Sequence, residues 1–172
     1  PILTEEIFDV VDHFDQVIGE APRGEVHAHR WLHRAVHIFV FNSRGELLIH
    51  QRTATKDECP LKYTSSASGH LHAGEDYDAA AVRELAEELS LAGPLEFLTK
   101  LPAGPETSYE HSALYQITTD DPPVFLPEEI LSGEFLFRRR GEAEARRDAP
   151  VAVAVGIGME QEIRRVRDRA EA

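Results

Sequence analysis

Residues 69–91 read GHLHAGEDYDAAAVRELAEELSL, and the rest of the chain falls into place around them. Asp76 is placed to cap a helix running from about residue 77 to about residue 90. On that helix Glu84, Glu87 and Glu88 stand at i, i+3 and i+4, so their carboxylates share one face. Val82, Leu85 and Leu89 lie on another face and are expected to anchor the helix in a core. Carboxylates gathered this closely repel one another unless a hard cation neutralises them. The stretch reads as a metal-binding helix entered through a glycine-containing loop. The alternative is a solvated acidic helix face.

Upstream, residues 7–19 read as a strand, a turn around Asp12–Asp15 and a second strand. Residues 23–34 are rich in His, Arg and aromatic groups, with His27, His29, His33 and Trp31. AVHIFVF (35–41) is an apolar strand, Asn42 to Gly45 a turn, and 46–52 the returning strand of a hairpin. Residues 53–63 form a loop with Lys56, Asp57, Cys59 and Pro60, and 65–71 another strand. Downstream, 94–101 and 110–118 are strands separated by a loop at 102–107. Residues 128–131 and 134–137 are short strand candidates. Two charged segments, 138–147 and 159–170, read as helices making 138–172 a helical tail; 150–158 is ambiguous between a buried strand and the start of the last helix. Strands mixed with a few helices give an α+β class, a mixed β-sheet flanked by helices.

At 172 residues and 42% hydrophobic content the chain is expected to be one domain, 1–172, with a sizeable core. No apolar run approaches the ~20 residues needed to span a bilayer. PILTEEIFDV lacks the basic region of a signal peptide, and the one cysteine, Cys59, precludes an internal disulfide. A cytoplasmic location is the expectation. The net charge of −13 argues against a nucleic-acid surface, and an anionic substrate would need local cations at its site.

Gly69, Glu75, Arg83, Glu84, Leu85, Glu87, Glu88 and Leu91 together resemble the Nudix box. In that pattern a glycine is followed at fixed spacing by Glu, Arg-Glu-aliphatic and Glu-Glu. Ser90 departs from it, standing where the family has a glycine that helps the chain leave the helix. The resemblance covers about residues 5–150 and is strongest over 33–91. It implies an α/β/α sandwich and a Mg²⁺-dependent hydrolase, with Mn²⁺ as an alternative ion. The substrates it implies are small nucleotides, nucleoside diphosphates linked to another group, with nucleoside di- and triphosphates first. It also implies the Gly69 carbonyl as a ligand beside Glu84, Glu87 and Glu88, and in-line attack of water on phosphorus. One member of the Glu87/Glu88 pair, or a later glutamate, would take the proton; Glu88 is read chiefly as a ligand, and Glu110, Glu128 and Glu129 are the later candidates. Arg83 can hold Glu87 or Glu75 in place and is read as an organiser of the carboxylates. Arg52, Lys56 and His70 are candidate phosphate contacts, each with the alternative of a solvated surface group. His33 and His37, at i and i+4, would suit a shared metal only on a helix, and the pattern there is a strand.

The segments His33-Arg34-Ala35, Gln51-Arg52-Thr53, Lys56-Asp57, Pro60 and Gly69-His70 resemble type I isopentenyl-diphosphate isomerases and their hydrolase relatives. Isomerases place a cysteine immediately before the glycine of the box. Here that residue is Ser68, a far poorer acid than a thiol. The isomerase Glu-x-Glu is present only in part, as Ser108-Tyr109-Glu110, and the Arg-Glu-x-x-Glu-Glu core, which isomerases break up, is intact. Phosphoanhydride hydrolysis is favoured over isomerisation. A catalytically silent nucleotide-binding module is the third reading, and the retained carboxylates weigh against it.

Overall fold

The computed structural model describes residues 4–56, 60–61 and 63–136. The expected helices within 138–172, the ambiguous 150–158, Asp57 and Cys59 lie outside the described residues. Among the described residues nine strands and two α-helices follow in chain order, with a short 3-10 turn at Pro105–Thr107: β1 (Ile7–Val11), β2 (Val17–Pro22), α1 (Arg23–His29), β3 (His33–Phe41), β4 (Leu47–Arg52), β5 (Tyr63–Thr64), β6 (Ala67–His70), α2 (Tyr77–Leu89), β7 (Glu96–Leu101), β8 (Glu110–Thr118) and β9 (Ile130–Leu136).

Strand β3 is the axis of the molecule. It pairs in parallel with β8 along its whole length, His33 opposite Glu110 through Phe41 opposite Thr118. Its other edge pairs antiparallel with β6, from Ala35–His70 to Ile38–Ala67. A strand with neighbours on both edges and cover on both faces is apolar nearly throughout, which is why AVHIFVF reads as continuous rather than alternating. β7 flanks β8, while β4 carries β5 and β9. The expected hairpin between β3 and β4 is therefore closed only at its base, by Phe41 opposite Leu47. Most of the β3 edge that β4 would have used belongs to β6.

The even-numbered residues of β3, Val36, Ile38 and Val40, meet Ala80, Ala81, Leu85 and Leu89 of α2 in the main core. Leu85 and Leu89 sit where the sequence predicts, but Val82 is 57% exposed. Ala81 instead continues the buried row at i−4 from Leu85, and this turns Val82 outward. Asp76 caps the helix as expected, its Oδ1 accepting from Ala79 N at 2.8 Å. At the exit Ser90 adopts φ 54°, and its N–H donates to Ala86 O. The chain thus takes the left-handed turn that glycine would make at lower cost.

β1 and β2 form a separate two-stranded ribbon, with α1 next to it. The ribbon is fixed to the rest through Asp15. Its carboxylate accepts from Arg34 Nε at 2.7 Å, Tyr77 Oη at 2.8 Å and Lys100 Nζ at 2.6 Å. Burial opposes ionisation of Asp15, yet these donors hold its carboxyl below the usual range. Phe8 of β1 then packs against the rings of His27, His33 and His70, on the face of β3 opposite α2.

Candidate metal and phosphate site

Strand β6 delivers residues to both sides of the sheet because side chains alternate along a strand. Gly69, opposite Val36, faces α2; Ser68 and His70, opposite His37 and Ala35, face the other way. A Cβ on Gly69 would lie 2.0 Å from Glu84 Oε1, so only glycine lets the helix carboxylate reach the strand. A cavity of about 350 Å³ straddles this strand. On one side it is lined by Glu84, Glu87 and Glu88, on the other by His37, His70 and Glu110, with Arg23, Arg52 and Lys56 at its rim.

Arg83 organises the acidic side. It grips Glu75 with two hydrogen bonds of 2.9 Å, donates to Glu84 Oε1 at 2.6 Å and Glu87 Oε2 at 3.3 Å, and reaches the His70 carbonyl at 3.0 Å. Glu84 and Glu88 are buried, whereas Glu87 is exposed. Burial pushes the Glu84 carboxyl up to about 7, against the pull of Arg83. Burial and the neighbouring Glu84 raise Glu88 well above the ordinary range, although Ser68 N donates to its Oε2 at 3.2 Å. Two buried carboxyls with raised proton affinity are short of positive charge, and a divalent cation fits that deficit. Glu84, Glu87, Glu88 and the Gly69 carbonyl are the oxygen donors available to it.

The opposite side is imidazole-rich. His70 Nε2 lies 2.8 Å from Glu110 Oε1, and His33 Nε2 lies 3.5 Å from the same oxygen. Burial disfavours a charge on Glu110, but His70 and His33 hold its carboxyl far below the usual range. Ring nitrogens of His27, His33 and His70 all fall within 4.8 Å of one another. Nitrogen donors of this kind suit a transition metal better than Mg²⁺.

Of the predicted phosphate contacts, Arg52, Lys56 and His70 all line the cavity. Lys56 is ion-paired with Glu129, and His70 is shared between Glu110 and Arg23. Among the later glutamates, Glu129 and Glu110 line the cavity, while Glu128 is exposed and contributes only its carbonyl, to Thr53 Oγ1. The segment leading to Glu128 and Glu129 is fastened to the end of α2, through Val124 N to Leu89 O and Leu126 N to Glu88 O.

A family model described as NUDIX domain matches residues 31–152. The chain belongs to the Nudix family. An uncharacterized Nudix hydrolase of Streptomyces coelicolor is 43% identical over 89 residues, 52% of this chain and 49% of that protein. The chain thus matches about half the length of that relative. A protein of Serratia proteamaculans named isopentenyl-diphosphate Delta-isomerase is 34% identical over 133 residues, 74% of each chain. Among solved structures, a Deinococcus radiodurans protein superposes with a TM-score of 0.68 at 30% identity, over 76% of this chain and 83% of that one. The α+β Nudix fold predicted from the sequence is the fold observed.

Within the Nudix box, the first glycine and the first conserved-position Glu, Gly69 and Glu75, meet through the Arg83 network and Glu84 rather than through each other. His27, His37, Glu6, Arg23 and Ser65 were not among the predicted site residues. The signal for His37 was its spacing: residues 33, 35 and 37 share one face of a strand. His33 and His37 lie on strand β3 and both face the side of the sheet that carries His70 and Glu110. A nucleobase needs an aromatic or apolar wall, and of the aromatic groups Phe39 and Tyr115 are buried in cores, Trp31 stacks on His29, and Tyr109 lines a second cavity beside Arg30. The Tyr63 side chain lies outside the described residues.

Proposed function

We propose that this Nudix chain is a divalent-metal-dependent hydrolase of phosphoanhydride bonds in nucleoside diphosphate-X compounds, nucleoside di- and triphosphates first. The observation that carries the reading is the pair of buried carboxyls, Glu84 and Glu88, facing a cavity rimmed by Arg23, Arg52 and Lys56. Mg²⁺, or Mn²⁺ in its place, held by Glu84, Glu87, Glu88 and the Gly69 carbonyl, would supply positive charge against the phosphate oxygens. Arg83 keeps the carboxylates aligned for that task. Arg52 and Lys56 contribute charge toward a further phosphate. Water attacks phosphorus in line, the anhydride P–O bond breaks, and the water proton passes to a carboxylate, with Glu87, Glu88 and Glu129 in the cavity. Glu110, kept ionised by two imidazoles, is the weaker proton acceptor. The same reading makes 1–172 one domain acting on small molecules in the cytoplasm.

Phosphorus NMR tests it. The protein with Mg²⁺ is given nucleoside di- and triphosphates, nucleotide sugars and isopentenyl diphosphate, and a new mono- or pyrophosphate signal is expected. Glu88→Gln is expected to cut that turnover at least a hundredfold with the fold retained by circular dichroism. Full activity in Glu88→Gln would remove Glu88 from the mechanism. Conversion of isopentenyl diphosphate to its allylic isomer without phosphate release would instead establish the isomerase, and binding without turnover the silent module.

A further inference from the structure

His37 is set into the cavity wall by a hydrogen-bond arrangement that fixes its tautomer. The residue is 4% exposed, and its Nδ1 lies 3.2 Å from Ser65 Oγ. The Ser65 hydroxyl donates its one hydrogen to Ala67 O at 3.2 Å, so toward His37 it can only accept. A fully buried imidazole with no carboxylate bonded to it stays neutral, and its single N–H is therefore on Nδ1. Nε2, on the far side of the ring from Ser65, is left as a lone pair. It is buried and has no hydrogen-bond partner among the described residues. His70, Glu110 and Arg52 are the charged or titratable groups whose fields reach the ring.

The surroundings are equally specific. Ala35, two residues earlier on the same strand face, also lines the cavity and leaves room for an approaching group. Ser112, opposite Ala35 on β8, is fully buried, and its Oγ too has no partner among the described residues. An ionised phosphate oxygen presents only lone pairs and cannot satisfy Nε2. An aliphatic chain would leave Nε2 desolvated and unpaired, the arrangement against which hydrogen-bonding sites discriminate most strongly. A hydroxyl or amino hydrogen satisfies Nε2.

We propose that His37 is a specificity-determining residue whose Nε2 accepts a hydroxyl or amino hydrogen from the moiety attached to the diphosphate, selecting hydroxylated diphosphates over aliphatic ones. The inference rests on the diphosphate-hydrolase reading and sharpens its substrate class.

The test compares wild type, His37→Leu and His37→Gln on ADP, a nucleoside diphosphate sugar and isopentenyl diphosphate. Both kcat/KM for phosphate release and Kd by calorimetry with Ca²⁺ in place of Mg²⁺ are measured. In wild type the hydroxylated compounds are expected to lead. In His37→Leu the ratio of hydroxylated to aliphatic is expected to fall about tenfold or more, as for loss of a hydrogen bond to a buried partner. His37→Gln places an acceptor oxygen at similar depth and is expected to restore part of the ratio. A ratio that stays the same in folded His37→Leu overturns the proposal. So does an equal loss on all three compounds, which marks a structural role. If His37→Leu does not fold, His37→Asn, which draws the acceptor back from the cavity, takes its place, and an unchanged ratio there overturns the proposal as well. Should wild type hydrolyse nothing in the panel, the hydrolase reading fails, and the Kd ratios still decide the role of His37.

Discussion

At Ser90 one side chain bears a backbone cost that the fold does not need. Its φ of 54° lies in the left-handed region, where a Cβ is crowded by the carbonyl. Ser90→Gly is expected to stabilise the protein by about 1 kcal/mol, read as a higher denaturation midpoint with an unchanged slope. Glu84 gives a pH signature. Its carboxyl sits at about 7 in the folded protein against an ordinary 4.5, so between those values the folded state holds a proton that the unfolded chain has released. Stability from this group is complete below about 4.5 and is lost as pH rises through about 7. Measured with chelator present, the stability advantage of wild type over Glu84→Gln is expected to shrink from pH ~5 to pH ~8. His37 and His50, whose burial lowers them to about 4, shift in the opposite sense and cancel in that difference. A flat difference would mean that Glu84 is ionised throughout. Added Mg²⁺ is expected to stabilise most at the high end, where the carboxylates are charged.

At the scale of elements, the Asp15 carboxylate in the turn of the β1–β2 ribbon ties that ribbon to β3, α2 and β7 at once. Asp15→Asn removes the countercharge of Lys100 and the nearer of the two facing Arg34, Asp9 remaining at 3.8 Å, and is expected to cost about 2 kcal/mol, measured by thermal unfolding. The elements legible in the sequence were those with a strong local signature: α2 with Asp76 and its three glutamates, β3 with its apolar run, and β7 and β8 on either side of a Pro-Gly loop. α1 was not legible. It has seven residues, no side-chain cap at Pro22, and one buried residue, Val26, so no helical periodicity can show. β9 was read as two pieces because Ser132 and Gly133 interrupt its apolar residues. It is continuous because a Cβ at 133 would lie 2.4 Å from Phe125 Cζ, so the glycine there makes room for packing. β5, two residues long, was hidden in a loop.

Across the whole molecule, the acidic half of the site was legible because helical spacing converts directly into a shared face. Of the imidazole half only His70 and Glu110 were named as site residues, and for separate roles, since His27, His33, His70 and Glu110 come from four different elements and meet only through β3–β8 pairing and the packing of Phe8. That same pairing bears on the order in which the cavity is assembled. Each residue of β3 waits for a β8 partner 77 positions later, His33 for Glu110 being the first. The intervening chain must be confined before any of that ladder forms, which makes the step slow relative to a local hairpin or to α2. During synthesis the segment carrying Glu84, Glu87 and Glu88 leaves the ribosome before Glu110 does. A nascent chain can therefore display its acidic helix while the cavity still lacks a wall, and the complete cavity arrives as one of the last events of folding.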